Sequence, residues 1–337
     1  MLHQYEPKPL MVPASYLGAA PPEAEPTIAI VTPSFQQGRY VERTIYSVVS
    51  QGYSSLEYVV QDGGSTDETV AILRRFAPVL TSWKSESDQG QGDAINRGFA
   101  QTTGEIMAWL NSDDLMLPGT LAYVASYFSR HPEVDAVYGN RIMIDENDGQ
   151  IGAWILPSHD DLVLTYADYV PQETLFWRRS LWDAVGGAVD TSFGYAVDWD
   201  LLLRFREAGA RMVHLPRFMG AFRVHDEQKT TAASDVGKVE CERLRLRVHG
   251  REIPTEELRL RMRSYFLRHA LVHKRQRLVD RLPLRRHTVR TVPEQSWLRA
   301  RGVGEPDESV SIPSEARTAA GKSVIPAADG LVAPRGR

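Results

Sequence analysis

The sequence of 337 residues is poor in cysteine and has no long hydrophobic run. Its one cysteine, Cys241, excludes an intramolecular disulfide framework and a cysteine-based zinc site, and it is typical of a reducing compartment. No apolar run approaches the roughly 18 residues that a membrane-spanning helix needs, and the first residues lack the charged start and apolar stretch of a secretion signal. We therefore expect a cytoplasmic protein that is soluble or, at most, peripheral on the inner face of the membrane.

The charge is distributed unevenly along the chain. Residues 236–300 contain 17 Lys plus Arg and 7 Asp plus Glu, a net charge of +10. Since the whole chain has 39 basic and 43 acidic residues, the remainder has 22 and 36, a net charge of −14. Together with the Pro-rich residues 21–26 and a Pro-, Ser-, Ala- and Gly-rich end, this division predicts four parts. They are a leader at residues 1–26, an α/β domain at 27–235, a basic helical extension at 236–290 and a disordered tail at 291–337.

Two neighbouring carboxylates follow a short apolar run. Residues 106–110 are apolar, and Asn111, Ser112, Asp113 and Asp114 come directly after them. This pattern is typical of a buried strand whose carboxyl end delivers oxygen ligands to the crevice where open α/β sheets bind ligands. It predicts a divalent cation bound together with a diphosphate. A turn that caps the next helix is the alternative, but it accounts for one acid and not for two.

Three further strand-to-helix junctions carry polar or glycine-rich sequence. The residues concerned are Thr32, Pro33, Ser34 and Phe35 at the first junction, Asp62, Ser65, Thr66 and Asp67 at the second, and Asp88, Gly90, Asp93 and Arg97 at the third. Glycines let the backbone approach a ligand closely, and an Asp at the carboxyl end of a strand can accept hydrogen bonds from a base or a ribose. Tight turns, helix caps and ion pairs are the alternatives, and Ser65 or Thr66 is expected to cap the helix that follows.

These segments together resemble the family 2 glycosyltransferases, which use nucleotide-diphosphate sugars. The resemblance covers roughly residues 27–230, with the motifs in the order that the family has them. It implies the GT-A fold, a Rossmann-like α/β architecture with a mixed sheet and flanking helices, to which the C-terminal helical extension is added. It also implies a nucleotide-diphosphate sugar as the donor and a divalent cation, Mn or Mg, as the cofactor.

The resemblance also implies roles for these residues. Residues 32–35 would lie under the base and Asp62 would contact the nucleoside, with Ser65, Asp88, Gly90, Asp93, Arg97, Asn111, Ser112 and Asp113 in the same nucleotide-sugar site. Asp113 and Asp114 would serve the metal held by the diphosphate. Asn111 stands where the Asp-x-Asp motif of the family begins with Asp. Because an amide offers only a neutral carbonyl oxygen, we expect Asn111 to orient the sugar or a water.

The second half of the chain is expected to supply the acceptor site and the general base. Gln172, Glu173 and Trp177 resemble an acceptor-proximal stretch, although Trp177 fits a core position equally well. Asp198 matches the position of the base in the family, where Val197 replaces a preceding acid, and Asp200 is expected to cap the same helix.

A histidine follows the last predicted strand of the domain. The resemblance implies that His225 lies near the metal and the diphosphate, so it is a candidate metal ligand. Lys229 lies four residues further on and is a candidate for contact with phosphate.

The sequence thus predicts a metal-dependent, inverting glycosyltransferase that moves a sugar to a hydroxyl of a glycan or lipid-linked acceptor in cell-surface polysaccharide or glycoconjugate synthesis. A sugar-phosphate nucleotidyltransferase and a non-catalytic sugar-nucleotide or glycan-binding module are the alternatives. The basic helices could lie on anionic lipid or could be solvated faces without a membrane role. Nucleic acid is not an expected partner, because no recognised module is present. The pattern leaves the nucleotide, the sugar, the acceptor and the oligomeric state open.

Overall fold

The computed structural model describes residues 5–18, 20–225, 234–281 and 288–290. The strands in these residues are β1 (Met11–Pro13), β2 (Ile28–Ser34), β3 (Leu56–Asp62), β4 (Ser82–Ser85), β5 (Ile106–Trp109), β6 (Leu115–Met116), β7 (Ala136–Ile144), β8 (Gln150–Trp154), β9 (Phe176–Arg178), β10 (Met212–Arg223) and β11 (Thr288–Arg290). The helices are α1 (Val41–Val49), α2 (Thr69–Phe76), α3 (Gln91–Phe99), α4 (Thr120–Arg130), α5 (Asp161–Leu164), α6 (Arg179–Ala184), α7 (Val197–Glu207), α8 (Ser234–His249) and α9 (Thr255–Arg281). Short 3-10 turns lie at Ala14–Tyr16, Ala77–Val79 and Gln172–Thr174.

One large mixed sheet organises the described part of the chain. Its strand order is β4-β3-β2-β5-β9-β7-β10-β6, with β8 paired to β7 at the side. Strands β4, β3, β2 and β5 are parallel to one another, whereas β9 runs antiparallel to both of its neighbours. Strand β7 is parallel to β10, and β6 is antiparallel to β10. This mixed sheet with flanking helices confirms the predicted α/β fold class.

The parallel register explains why the predicted motifs meet. Ser34 at the end of β2 is opposite Asp62 at the end of β3, and Asp62 is opposite Ser85 at the end of β4. Strand β5 ends beside them at Trp109, just before the acidic pair. Since ligands in open α/β sheets bind outside the carboxyl ends of the strands, this edge is the natural place for a site.

Helices cover both faces of the sheet and bury their apolar sides. In α1 the buried residues Val41, Ile45 and Val48 recur at helical spacing and pack in the cluster that also contains Ile28 and Ile30 of β2. The opposite face holds a second cluster around Trp109, Trp177 and Trp199. The sheet is therefore sealed on both sides, and polar chemistry is confined to its edge.

Both ends of the described chain pack on this body. Leu10 and Val12 share an apolar cluster with Leu117 and Ile142, so the predicted leader contacts the domain directly. Leu244 of α8 and Leu258, Met262 and Tyr265 of α9 belong to the same cluster as Trp199. The predicted division into four parts stays a prediction, and the tail at 291–337 lies outside the described residues. None of the helices in the described ranges has the length and apolar content that crossing a bilayer requires.

The start of α2 differs from the prediction. The residue before the helix is Glu68, and no side chain caps it, so the expectation that Ser65 or Thr66 does so is wrong. The Ser65 hydroxyl instead accepts the backbone N–H of Gln36 at 2.7 Å and donates to the Asp62 carboxylate at 2.6 Å. Because the turn after β3 consumes this hydroxyl, the nearest local support for the helix is Asp67, whose carboxylate accepts the N–H of Thr69.

Two glycines of α3 form a matched pair for a packing test. A Cβ on Gly98 would lie 2.4 Å from Cγ1 of Val31 in β2, whereas a Cβ on Gly92 would meet nothing closer than 3.4 Å. We expect Gly98→Ala to lower the free energy of unfolding by about 1–3 kcal/mol, because the β-branched Val31 cannot move aside. Gly92→Ala should raise it by up to about 1 kcal/mol through helix propensity. Chemical denaturation of both variants tests the close packing of α3 on β2, and equal effects would contradict it.

Candidate functional site

The Asp62 carboxylate organises the turn after β3. It is fully buried, and it accepts hydrogen bonds from the backbone N–H of Ser65 at 2.8 Å, the Ser65 hydroxyl at 2.6 Å and the Ser85 hydroxyl at 2.6 Å. These bonds occupy both carboxylate oxygens. In this arrangement Asp62 shapes the loop that faces the crevice, and it does not expose its own oxygen atoms for the predicted contact with a nucleoside.

The glycine-rich segment before α3 is held against this turn. A Cβ on Gly63 would lie 3.0 Å from the carboxylate of Asp88, so the two loops touch where glycine is required. Asp88 also accepts the N–H of Gly90, whose φ of 109° lies in the region that favours glycine. Asp93 accepts the N–H of Gln89 and forms an ion pair with Arg97 at 2.8 Å. Asp93 and Arg97 thus form the ion pair given above as an alternative, whereas the alternative of a helix cap by Asp93 is wrong, because Gly90 precedes α3 and no side chain of the described residues caps it.

The residues at the end of β2 are divided between the sheet and the edge. The Thr32 hydroxyl lies 3.0 Å from the Tyr58 hydroxyl inside the sheet, which removes it from the crevice. Pro33 is buried within the strand. The Ser34 hydroxyl is buried and has no hydrogen-bond partner within the part of the chain that the structure describes, and Phe35 is exposed beside it. A buried hydroxyl without a partner is costly, so Ser34 is the member of this group with unused hydrogen-bonding capacity.

The acidic turn after β5 is anchored on α1. Thr44 donates to the carbonyl oxygens of Ser112 at 2.9 Å and Asp114 at 2.8 Å, and the Asp114 N–H closes the turn on the Asn111 carbonyl. The Asn111 side-chain oxygen accepts a hydrogen bond from Gln91 at the start of α3. The contact between Gln91 and Asn111 joins the glycine-rich segment before α3 to the acidic turn after β5.

The two acids of the pair have different surroundings. Oδ2 of Asp113 lies 3.0 Å from Nε2 of His225, and the Asp113 side chain keeps 17% of its surface exposed. Asp114 is buried, and its Oδ1 accepts the backbone N–H of Arg223. Burial, then the neighbouring Asp113 and Glu173, raises the pKa of Asp114 well above its ordinary value. Asp113 therefore faces the crevice, and Asp114 fixes the turn.

His225 joins the end of β10 to this turn. Its ring packs on Tyr40 with the centroids 4.9 Å apart, and Nδ1 is buried with no hydrogen-bond partner among the described residues. Arg223 reinforces the junction, since its Nε donates to the Asp113 carbonyl at 2.8 Å. The predicted proximity of His225 to the acidic pair is what the structure has. Lys229 lies outside the described residues.

A buried ion pair lies beneath the crevice. Nε of Arg141, in the middle of β7, donates to Oε1 of Glu173 at 2.8 Å, and a second nitrogen of the guanidinium contacts Oε2. The guanidinium also packs over the ring of Phe222, 4.3 Å from its centroid. Glu173 and its buried neighbour Gln172, which donates to the Trp109 carbonyl, are thus engaged by the protein itself.

Trp177 is a core residue in the structure. It has no exposed surface, and its ring packs against Trp109, Trp182 and Phe205 at centroid distances of 5.6, 6.0 and 5.8 Å. Because β9 lies in the middle of the sheet, no face of this ring is open to a sugar. The predicted acceptor contact of Trp177 is therefore wrong, and the core position is the correct interpretation.

Asp198 lies at the start of α7 and is only partly buried. Burial raises the pKa of its carboxyl to about 6, while the Arg141 charge acts in the opposite direction and Glu173 adds to the rise. Asp168, which sequence reasoning missed, lies nearby and keeps surface open to water. Desolvation by the surrounding protein, followed by the charge of Asp198, raises the pKa of Asp168 well above its ordinary value. The two carboxylates therefore lie close enough to interact electrostatically.

Arg141 connects these acids electrostatically. Burial acts to lower the pKa of Arg141, but Glu173 beside it, followed by Asp114 and Asp168, raises it overall. The same guanidinium opposes the rise in the pKa values of Asp114 and Asp198. Asp114 after β5 and Asp198 at the start of α7 therefore both lie close enough to Arg141 to interact with its charge. Arg141 could have been noticed in the sequence as a lone charge within an apolar strand.

The expected cap by Asp200 is wrong. The residue before α7 is Ala196, and no side chain caps it. Asp200 is fully buried in ion pairs with Arg204 of α7, at 2.9 Å, and with Arg247 of α8. Glu240 of α8 instead fixes the loop before α7, since it accepts the N–H groups of residues 194, 195 and 196 at 2.8 to 2.9 Å. Such a pairing between distant segments has no local sequence signal.

Comparison with known sequences identifies similar proteins. The family model described as Glycosyl transferase family 2 matches residues 29–188. A PGL/p-HBAD biosynthesis glycosyltransferase of Mycobacterium bovis (strain BCG / Pasteur 1173P2) is 32% identical over 185 residues, which cover 54% of this chain and 70% of that protein. An uncharacterized glycosyltransferase of Mycobacterium tuberculosis (strain ATCC 25618 / H37Rv) is 33% identical over 185 residues, covering 53% and 68%.

Solved structures share the fold. Residues 1–349 of S. aureus TarS in complex with UDP-GlcNAc align with a TM-score of 0.53 at 16% identity, covering 77% of this chain and 76% of that one. The mannosyltransferase PcManGT from Pyrobaculum calidifontis, in complex with GDP-Man and Mn2+, aligns with a TM-score of 0.54 at 20% identity, covering 79% of each chain. A longer TarS structure is covered over only 43% of its length.

The raised pKa of Asp198 predicts that this residue destabilises the fold. The folded protein retains a proton at Asp198 up to a pKa of about 6, whereas an unfolded chain loses it near the ordinary pKa of 3.8. The cost of the charge is therefore small at about pH 4.5 and complete at about pH 8. We expect Asp198→Asn to raise the free energy of unfolding by about 1 kcal/mol or more at about pH 8 and by less at about pH 4.5.

Thermal melting of Asp198→Asn and wild type at both pH values measures this difference. Asp183→Asn, at an exposed position of α6, is the matched control and should change neither melting temperature. A stabilisation by Asp198→Asn that is equal at both pH values would contradict the raised pKa of Asp198.

Proposed function

Because the chain belongs to glycosyl transferase family 2, we propose that it is a metal-dependent, inverting glycosyltransferase. It moves a sugar from a nucleotide-diphosphate sugar to a hydroxyl of a glycan or lipid-linked acceptor. The observation that carries this proposal is the proximity of the acids after β5 and at the start of α7 to one ion pair. Asp114 and Asp198 both interact with the charges of Arg141 and Glu173.

The donor class is supported by the similar structures. One was solved with UDP-GlcNAc and another with GDP-Man and Mn2+. In this chain the corresponding edge has the unpartnered Ser34 hydroxyl, the exposed Phe35 and the glycine-rich loops at Gly63 and Gly90. Glycines before a helix let the backbone N–H groups approach a bound anion closely, which suits a diphosphate.

The residues present fit a divalent cation that is bound jointly with the diphosphate. Within the described ranges no three His, Cys, Asp or Glu side chains converge, so the protein offers fewer ligands than a self-contained metal site. Asp113 and His225 would hold the ion, since Asp113 is partly exposed and His225 has a buried ring nitrogen without a partner among the described residues. The cation would supply charge neutralisation for the departing diphosphate.

Asp198 is the proposed general base. In an inverting transfer one carboxylate removes the proton of the acceptor hydroxyl as its oxygen attacks the anomeric carbon. A pKa of about 6 leaves Asp198 ionised at neutral pH and makes it more basic than an exposed aspartate. Burial raises the pKa of Asp198, but the backbone N–H of Trp199, which donates to the carboxylate at 2.9 Å, and then the charge of Arg141 oppose this rise, so the carboxylate is ionised at neutral pH.

Replacing Asp113 tests the metal proposal. We expect Asp113→Asn to abolish the additional thermal stabilisation that Mn2+ gives in the presence of UDP or GDP, and to abolish transfer. The matched neighbour Asp114→Asn keeps an oxygen that can accept the Arg223 N–H, so it should retain the Mn2+-dependent shift. If Asp114→Asn loses the shift and Asp113→Asn keeps it, the assigned roles of the two acids are reversed.

Replacing Asp198 tests the base. Asp198→Asn should keep the nucleotide-dependent thermal shift and lose transfer by about 10²- to 10⁴-fold, because only proton removal is affected. In the wild type the transfer rate should fall as pH decreases through about 6, where the carboxylate becomes protonated. A variant that still transfers at the wild-type rate would show that another group is the base. Product analysis with a nucleoside triphosphate and a sugar phosphate distinguishes a nucleotidyltransferase, and donor turnover distinguishes a non-catalytic module.

A further inference from the structure

Helix α9 has two faces, and the second one is unusual. Leu258, Met262, Tyr265 and His269 are buried at spacings of four, three and four residues, so they form the inner face that packs on the domain. On the opposite side Leu260, Leu267 and Leu271 are exposed, with 67%, 59% and 66% of their surface accessible. At about 100° per residue, these three leucines lie within about 40° of one another around the helix axis.

This stripe differs from scattered surface hydrophobics. Single exposed leucines are common on soluble proteins, but aligned ones mark a surface that another partner covers. These three leucines form a ridge along three turns of one helix, with Arg263 and Ser264 at the turn between Leu260 and Leu267. The inner face already buries the apolar residues that the fold of α9 requires, so the fold does not explain the ridge.

The ridge is surrounded by positive charge. Arg259, Arg263, Lys274 and Arg275 are exposed on α9, and none of them forms an ion pair with an acid in the ranges that the structure covers. No Asp or Glu occurs between residues 258 and 279. The outward face of α9, defined by Leu260, Leu267 and Leu271 with these four cations, is therefore apolar and strongly basic at once.

The charge selects among the partners that such a face could have. A symmetric contact between two copies of the chain would bring four cations of one copy against the same four of the other, which is repulsive. An anionic bilayer offers a negative surface for the arginines and an apolar boundary for the leucines. We propose that the outward face of α9 docks on an anionic lipid surface.

The position of α9 gives this docking a consequence. Tyr265, on the inner face, packs on Tyr169 with the ring centroids 4.7 Å apart, and Tyr169 directly follows Asp168, whose carboxyl interacts with the charge of Asp198. A helix is about 10–12 Å across, so the leucine ridge lies roughly one helix diameter from the contact between Tyr265 and Tyr169. Docking would bring the lipid surface beside the acceptor side of the site. The link to a lipid-linked acceptor rests on the proposed function, whereas docking itself does not.

Vesicle sedimentation of the full chain tests the proposal. We expect binding to phosphatidylcholine vesicles that contain about one-third phosphatidylglycerol, weak binding to phosphatidylcholine alone, and a decrease with salt. Changing Leu260, Leu267 and Leu271 together to Asn should reduce binding at least about tenfold, since the apolar contact is lost. The matched control changes Val236, Val239 and Leu246, which are exposed on α8, to Asn and should retain binding.

Several outcomes would overturn the proposal. These are absence of vesicle binding, equal binding to both lipid compositions, or equal loss in the α8 and α9 variants. A dimer seen by light scattering that the α9 variant abolishes would assign the ridge to self-association instead. The UDP- or GDP-dependent thermal shift with Mn2+, measured on the same proteins, reports folding and the donor site. A retained shift without vesicle binding rejects the docking alone, and vesicle binding without a shift rejects the donor site alone.

Discussion

The buried ion pair between Arg141 and Glu173 sets the electrostatics of the cleft. Asp114, Asp168 and Asp198 all interact with the guanidinium, whose charge offsets part of the repulsion among these carboxylates. An ion pair taken out of water is costly unless its hydrogen bonds are complete, and the paired contacts with both Glu173 oxygens meet that condition. The pair occupies the boundary between the strands that carry the acidic turn and the helix that carries Asp198, so it ties the two halves of the site together.

This single cation lets chemically identical side chains take different roles. Asp114 is buried and its pKa is raised well above the ordinary value, which suits a residue that fixes a turn. Asp113, one position earlier, faces the crevice beside His225 and can present its charge. Asp198 has a pKa of about 6, because burial raises it while the backbone N–H of Trp199 and then the charge of Arg141 lower it. Environments that separate the pKa values of neighbouring carboxyls are the usual means by which one site obtains several functions from one residue type.

The sequence allowed the architecture and the motif positions to be predicted, because they depend on local patterns. Apolar runs that end in polar residues located the parallel strands, and the parallel register then brought Ser34 and Asp62 to one edge. What could not be predicted are pairings between distant segments. Arg141 and Glu173 are 32 residues apart, and the inward position of Trp177 depends on β9 being inserted between β5 and β7. Local patterns give the type of a side chain but not the partner that removes it from a ligand.

The C-terminal helices show the same point for the site as a whole. Composition separates them from the acidic domain, but both contact it closely. Glu240 of α8 accepts three consecutive N–H groups from the loop that leads into α7. Arg247 of α8 forms an ion pair with the buried Asp200, which lies in the first turn of α7. Asp198 is held between these two contacts. The direction of a carboxylate at the start of a helix depends on how firmly the first turn is held. Here Glu240 and Arg247 hold it, and both belong to the segment that its net charge separates from the domain. The basic segment therefore supports the acidic site. Its inward-facing Arg247 and Glu240 bind groups of the domain, whereas the cations on the outward face of α9 remain exposed to a partner surface.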